Sequence, residues 1–148
     1  FKILPKNKIN LHSGLLPYFR GKAGNFWPFY FLQPNWCGYT FHFIEKTVDK
    51  GSIIHHSVPK LKNNETIHEV SCKALIKASN DVINIIRMAQ ITKNIPSNYI
   101  NDQGKYFSSS DFKIHHLRMI YNYFNDDIVN YHLNNLSSKN EPKIIKLV

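Results

Sequence analysis

Asn10, His12 and Asp49 are the residues of this chain best suited to chemistry. The first two stand in Asn10-Leu11-His12-Ser13-Gly14-Leu15-Leu16-Pro17-Tyr18-Phe19-Arg20-Gly21, and the third heads Asp49-Lys50-Gly51. An amide, an imidazole and a carboxylate held together can move an acyl group onto an amine. That reaction needs a donor aimed at the oxygen that gains charge, a group to hold or relay the amine's proton, and a carboxylate to set the imidazole's tautomer and charge. The trio can fill those roles without a metal. In isolation an Asn-x-His at a strand end is an ordinary turn with a surface histidine. Here it is followed by a loop bracketed by Pro17 and Gly21, a predicted strand from Gly38 to Ile44, and a turn at Asp49 into a second run, Ser52 to Val58.

The elements that must position these residues give an α/β reading. Ile9 to His12 is expected to end a buried strand. In the next strand Thr40, His42 and Ile44 share one face, polar enough for a cleft wall, while Tyr39, Phe41 and Phe43 share the other and must be buried against helices. Ala23, Phe26, Trp27, Tyr30 and Phe31 recur at helical spacing, which predicts a short helix over 23–32 that tolerates Pro28 and ends at Pro34 and Asn35. Thr66-Ile67-His68-Glu69 has the form of a capping box. After it Ile67, Val70, Ala74, Leu75, Ala78, Val82, Ile85, Ile86 and Ala89 predict one apolar stripe, with Glu69 and Lys73 paired on the outer face. A turn-rich connection containing Pro96, Asn98, Asn101, Asp102 and Gly104 follows. Ser108 or Ser110 could then cap a helix carrying Phe112, Leu117, Ile120, Tyr121 and Phe124, and Asp126 and Asp127 could open a last one carrying Ile128, Val129, Tyr131 and Leu133. Residues 137–148 show no period and are expected to be loosely held.

Composition narrows the classes. With 148 residues, 43% apolar and 14% aromatic, the chain can build a packed core and is not of the disordered type. Cys37 and Cys72 share no CxxC spacing, so zinc and redox motifs are not indicated, and both are expected to be buried free thiols of a reducing compartment. The pairs His55-His56 and His115-His116 cannot each chelate one ion, because neighbours diverge around a strand or helix. No apolar run reaches the ~20 residues of a membrane span, which points to the cytoplasm and away from membrane partners. The net charge of +9 is uneven: residues 1–90 hold twelve Lys/Arg against five Asp/Glu, residues 91–148 seven against five. A field of this sign around the Asn10 to Lys50 region suits an anionic small molecule, with Arg20 the one residue singled out. The near balance of the second half argues against a nucleic-acid groove there, although Tyr99, Tyr106 and Phe107 beside Lys105 could stack on bases.

The blocks Asn10-x-His12 with Leu15-Leu16-Pro17, then Gly38-x-Thr40-x-His42, then Asp49-x-Gly51, in that order, resemble the 10-formyltetrahydrofolate-dependent formyltransferase family from Asn10 to about Ala89. The resemblance implies the carboxy-terminal half of a Rossmann-like catalytic domain over 1–90, with the amino-terminal part of the fold missing, and a small, mostly helical extension over 91–148. Phe1 to Pro5 resembles the end of the preceding strand of that fold. By resemblance Asn10, His12 and Asp49 correspond to the catalytic amide, imidazole and carboxylate, while Thr40, His42 and Arg20 line the site of the formyl donor, 10-formyltetrahydrofolate. The wording of the first block is most similar to that of nucleotide-sugar N-formyltransferases, whose acceptor is the amine of a nucleotide-linked amino sugar. Two other readings stay open: a methionyl-tRNA formyltransferase relative, and a non-catalytic piece serving as a basic binding or assembly module. The apolar sides of the carboxy-terminal helices need cover, from a homodimer partner or from the first ninety residues.

Overall fold

The computed structural model describes residues 7–102, 104–136 and 140–148. The stretch Phe1 to Pro5 and residues 137–139 lie outside the described residues. Three antiparallel strands, β1 (Ile9–Ser13), β3 (Tyr39–Phe43) and β4 (Ile53–Ser57), form a sheet in the order β1-β3-β4. Asn10 faces His42 and His12 faces Thr40 across β1 and β3, and Thr40 faces His56 across β3 and β4. Alternation therefore collects Asn10, His12, Thr40, His42 and His56 on one side of the sheet and Phe41 and His55 on the other. An irregularity between Phe41 and His42 adds a residue to β4. Among the described residues β1 has one strand neighbour, β3, and Ile9 and Leu11 are 36% and 39% exposed, where a buried strand is expected.

The helix α2 (Ile67–Thr92) covers the second side. Its capping box forms as the sequence predicts: Glu69 N donates to Thr66 Oγ1 at 3.3 Å, and Thr66 N donates to Glu69 Oε2 at 2.8 Å. With its carboxylate turned to the cap, Glu69 does not pair with Lys73, which instead reaches Glu65 and the Lys60 carbonyl. The buried stripe is narrower than expected. Ile67, Val70, Ala74, Ala78, Asp81 and Ile85 follow the helical period as one buried line, its second half against the sheet, while Leu75 and Ile86, rotated off that line, are about half exposed. Phe41, Ile54, Ala78 and Ile85 form the packed layer between β3, β4 and α2.

The remaining elements close the first two. The expected helix over 23–32 shrinks to α1 (Trp27–Tyr30), because Ala23 and Leu32 both adopt left-handed backbone, at φ 57° and 58°. Pro34 opens a single tight turn, Pro34–Trp36. Two short strands pair in parallel, β2 (Phe19–Gly21) with β5 (Lys105–Phe107), and bury Phe19, Trp27 and Phe107 together. β5 was not expected as a strand. The helix expected after Ser108 is replaced by a turn in which Ser108 N and Oγ donate to Asp111, then a short turn at Ile114–His116 and a wide turn at Met119–Tyr123. Asp127 does precede α3 (Ile128–Asn135), and Asp126 accepts from Ile67 N, adding a second cap to α2. Ile120, Ile128 and Val129 share one core with Phe29, Cys37, Val70 and Ala74. Burial pushes the Cys37 thiol up to about 12, which leaves it an inert core residue, whereas Cys72 is exposed rather than buried. Residues 140–148 are held against the sheet, contrary to the loose tail expected, by bonds between their backbone and the backbone N–H of His56 and the rings of His55 and His56. No helix of the described residues is long and apolar enough to cross a membrane.

Candidate active site

Strand geometry places Asn10 and His12 side by side, and the loop after β3 brings Asp49 back over them. Asp49 adopts left-handed backbone, φ 54°, and Gly51 passes so close to β3 that a Cβ there would lie 1.6 Å from the Phe43 carbonyl oxygen. Only glycine permits that approach. The Asp49 carboxylate then accepts from Gly21 N at 2.9 Å and stands 3.5 Å from His12 Nδ1 and 3.9 Å from His42 Nε2. The other nitrogen of His12, Nε2, lies 2.8 Å from the Phe19 carbonyl oxygen. Each nitrogen of His12 thus faces an acceptor, so the ring donates to both only when it carries two protons.

His42 is the complement. Its Nδ1 donates to the Phe43 carbonyl at 2.9 Å, which leaves Nε2 to accept from Asn10 Nδ2 at 3.1 Å. Burial holds His42 below the ordinary imidazole value, against the hydrogen bond to Phe43 and the charge of Asp49, so the ring is neutral and this tautomer persists. The Asn10 amide is thereby oriented with one N–H on His42 and its second N–H free to donate elsewhere.

A cleft of about 430 Å³ opens beside Asp49. Its walls are Leu16, Pro17, Arg20, Asp49, Lys50, Gly51, Ile53, Tyr99, Ile100 and Asp102. Arg20 is on the wall, with Nη2 donating to the Gly104 carbonyl at 3.3 Å. Thr40 is not on it: the residue is fully enclosed, accepting from Leu16 N at 3.0 Å and donating to the Gly14 carbonyl at 2.7 Å. His42 is likewise buried, and acts on Asn10 instead of lining the cleft as expected. The sequence does not place Tyr99, Ile100 and Asp102 at the cleft: they arrive from a turn-rich connection in which Tyr99 reads only as a possible base-stacking residue. Their placement follows from reciprocal backbone bonds between Ile53 and Asn98, both 2.8 Å, and from the Tyr99 hydroxyl donating to Glu45 at 2.7 Å. No local pattern announces such a bridge. Among the described residues there is no group of three or more His, Cys, Asp and Glu able to hold a metal.

One face of the sheet thus carries an amide and two histidines, and the loop after β3 sets a carboxylate between them and the cleft. The sequence model of the formyl transferase family matches residues 1–86, and the chain belongs to that family. The chain is 29% identical over 97 residues to the methionyl-tRNA formyltransferase of Desulforamulus reducens, covering 64% of this chain and 30% of that protein. Among solved structures it is similar to a 4-N formyltransferase from Francisella tularensis, with a TM-score of 0.62 and 25% identity over 72% of this chain and 43% of that one. It shares its fold with the formyltransferase PseJ from Anoxybacillus kamchatkensis, with a TM-score of 0.66 and 23% identity over 81% of this chain and 61% of that one. PseJ was solved with UDP-4,6-dideoxy-4-formamido-L-AltNAc and tetrahydrofolate. The chain thus spans about a third to three fifths of the length of these relatives.

Proposed function

We propose that this chain carries the catalytic trio of a cytoplasmic, folate-dependent N-formyltransferase acting on the amine of a nucleotide-linked amino sugar. Residues 1–90 are the catalytic part and 91–148 an extension that completes the cleft. The observation that carries the reading is the convergence of Asn10, His12, His42 and Asp49 through contacts of 3.1 to 3.9 Å, although 36 residues separate His12 from Asp49 in sequence.

The residues present fit the donor. Leu16, Pro17, Ile53 and Ile100 offer apolar walls to a flat bicyclic ring, and Arg20 and Lys50 offer cations to an acidic tail. When bound, 10-formyltetrahydrofolate supplies the carbon that is transferred. Asn10, through its free N–H, donates to the formyl oxygen as charge gathers on it, and His12, held between the Phe19 carbonyl and Asp49, stands behind it as the ring through which that charge is balanced. Asp49 supports the imidazolium and takes up the proton that the amine sheds, for return to the departing nitrogen. His42 keeps the Asn10 amide turned to its task.

The amino-sugar reading is favoured by the wording of the first block and by the fold shared with PseJ. The match to a methionyl-tRNA formyltransferase supports the other acceptor. Against it, the described part of 91–148 is a three-residue strand, short helices and turns, with charge nearly balanced. Incubating the protein with 10-formyltetrahydrofolate and a panel of amino nucleotide sugars or methionyl-tRNA, read by mass gain of a formyl group, separates the readings. Formylation of a nucleotide sugar is the expected result. Formylation of methionyl-tRNA alone, or of nothing, would overturn it.

A further inference from the structure

Residues 140–148 adopt no regular secondary structure, yet they brace the loop that holds His12. The segment runs along the outer edge of β4. His56 N donates to the Ile145 carbonyl at 2.8 Å, Ile145 N donates to His56 Nδ1 at 3.0 Å, and Leu147 N donates to His55 Nδ1 at 3.0 Å. His56 is 1% exposed and spans from this strap to the cleft loop. Because Nδ1 accepts, the ring proton sits on Nε2, which donates to the Leu16 carbonyl at 2.9 Å. The Leu16 N–H is held by Thr40, three residues before Phe19, whose carbonyl meets His12. A second tie, Tyr18 hydroxyl to the Lys143 carbonyl at 3.4 Å, joins the same loop to the same strap.

We propose that His56 is a positioning residue: the strap fixes its tautomer, and the tautomer fixes Leu16, the cleft wall and the ring of His12. The physical link is proton placement in an imidazole that has only two sites. With Ile145 N–H on Nδ1, the Nε2 proton must face Leu16. Without it the Nδ1–H tautomer becomes accessible, and its Nε2 lone pair then faces the Leu16 carbonyl oxygen, a repulsive contact that releases the loop. The catalytic consequence rests on the formyl-transfer reading; the structural link does not.

Three variants test it in the intact protein. Ile145→Pro removes the N–H that reaches His56 and lies outside the cleft walls. His56→Asn keeps an acceptor near Nδ1 but loses the donor to Leu16, and His56→Gln does the reverse. In nitrogen-detected NMR of the histidine rings, wild type should show His56 protonated at Nε2, and Ile145→Pro should shift both the His56 and the His12 signals. In turnover, Ile145→Pro and His56→Asn should each lower kcat on the order of tenfold, with the amine KM little changed. His56→Gln should stay near wild type and abolish the effect of Ile145→Pro. A wild-type His56 protonated at Nδ1, a His12 signal indifferent to Ile145→Pro, or a full loss from Ile145→Pro in the His56→Gln background would each overturn the proposal. Should Ile145→Pro fail to fold, the contrast between His56→Asn and His56→Gln decides. Were wild type inactive, the ring spectra would still decide the strap.

Discussion

His12 and His55 each meet an aspartate, at 3.5 Å and 3.1 Å, on opposite sides of the same sheet. The surroundings separate them. Asp81 accepts from Ser57 at 2.6 Å, from His55 at 3.1 Å and from Lys77 at 2.9 Å, while the other His55 nitrogen is taken by Leu147 N. Burial pushes the Asp81 carboxyl up, but these hydrogen bonds outweigh it and hold the group below the usual carboxylate value. Burial likewise holds His55 below the ordinary imidazole value, against its bond to Asp81. Asp49, in contrast, has one short bond, from Gly21 N, and looser approaches to two histidines at the edge of a cleft. A histidine and a carboxylate saturated by internal partners hold a helix to a sheet. Asp49, held by one short bond at the edge of open space, is available to a reactant, with His12 buried behind it.

Substitutions on each side should break differently. Asp49→Asn keeps an acceptor for Gly21 N but loses the charge, and kcat for formyl transfer should fall on the order of a thousandfold with the melting temperature unchanged. Retained turnover would reduce Asp49 to a turn residue. Asn10→Ala removes one donor to the formyl oxygen, for an expected loss of about a hundred- to a thousandfold in kcat and little change in acceptor KM, measured in steady state.

Stability should depend on pH through the histidines behind the site. Burial holds His56 down at about 4 against an ordinary 6.5. Between those values the unfolded chain binds a proton that the folded chain does not. The contribution is therefore complete above pH 6.5 and lost as pH falls toward 4, on the order of 3 kcal/mol. Urea unfolding at stepped pH should show the decline, and His56→Gln should flatten it. On the saturated side Asp81→Ala should cost about 2–3 kcal/mol in urea unfolding, through orphaned Ser57 and His55, with acceptor KM preserved. The smallest effect belongs to Thr66→Ala, about 1 kcal/mol from loss of the α2 cap.

The legible part of the molecule is local. Strand alternation puts Asn10 beside His12, and four residues suffice to recognise the cap of α2. The stripe of α2 was legible in period but not in width, and Asp81 in its centre gave no sign of its role, because its partners Ser57 and His55 lie on another element. Thr40 was right in its face and wrong in its use. A polar strand face can line a cleft or be sealed by a loop, and here Gly14 and Leu16 seal it. The parallel pairing of β2 with β5 is not visible in the sequence, since backbone bonds make it and the residue it constrains, Gly21, whose Cβ would lie 2.1 Å from the Phe107 carbonyl oxygen, reads there as an ordinary loop glycine.

Interactions between near neighbours reach as far as the caps, the strand faces and the three blocks that mark the family, and those were determined by residue order alone. Whether Asp49 returns to His12, which residues wall the cleft, and what braces its loop depend on closing loops of tens of residues around a shared core. That closure is set by the sum of many weak contacts and by exact backbone approach, as at Gly51, so only the assembled chain decided it.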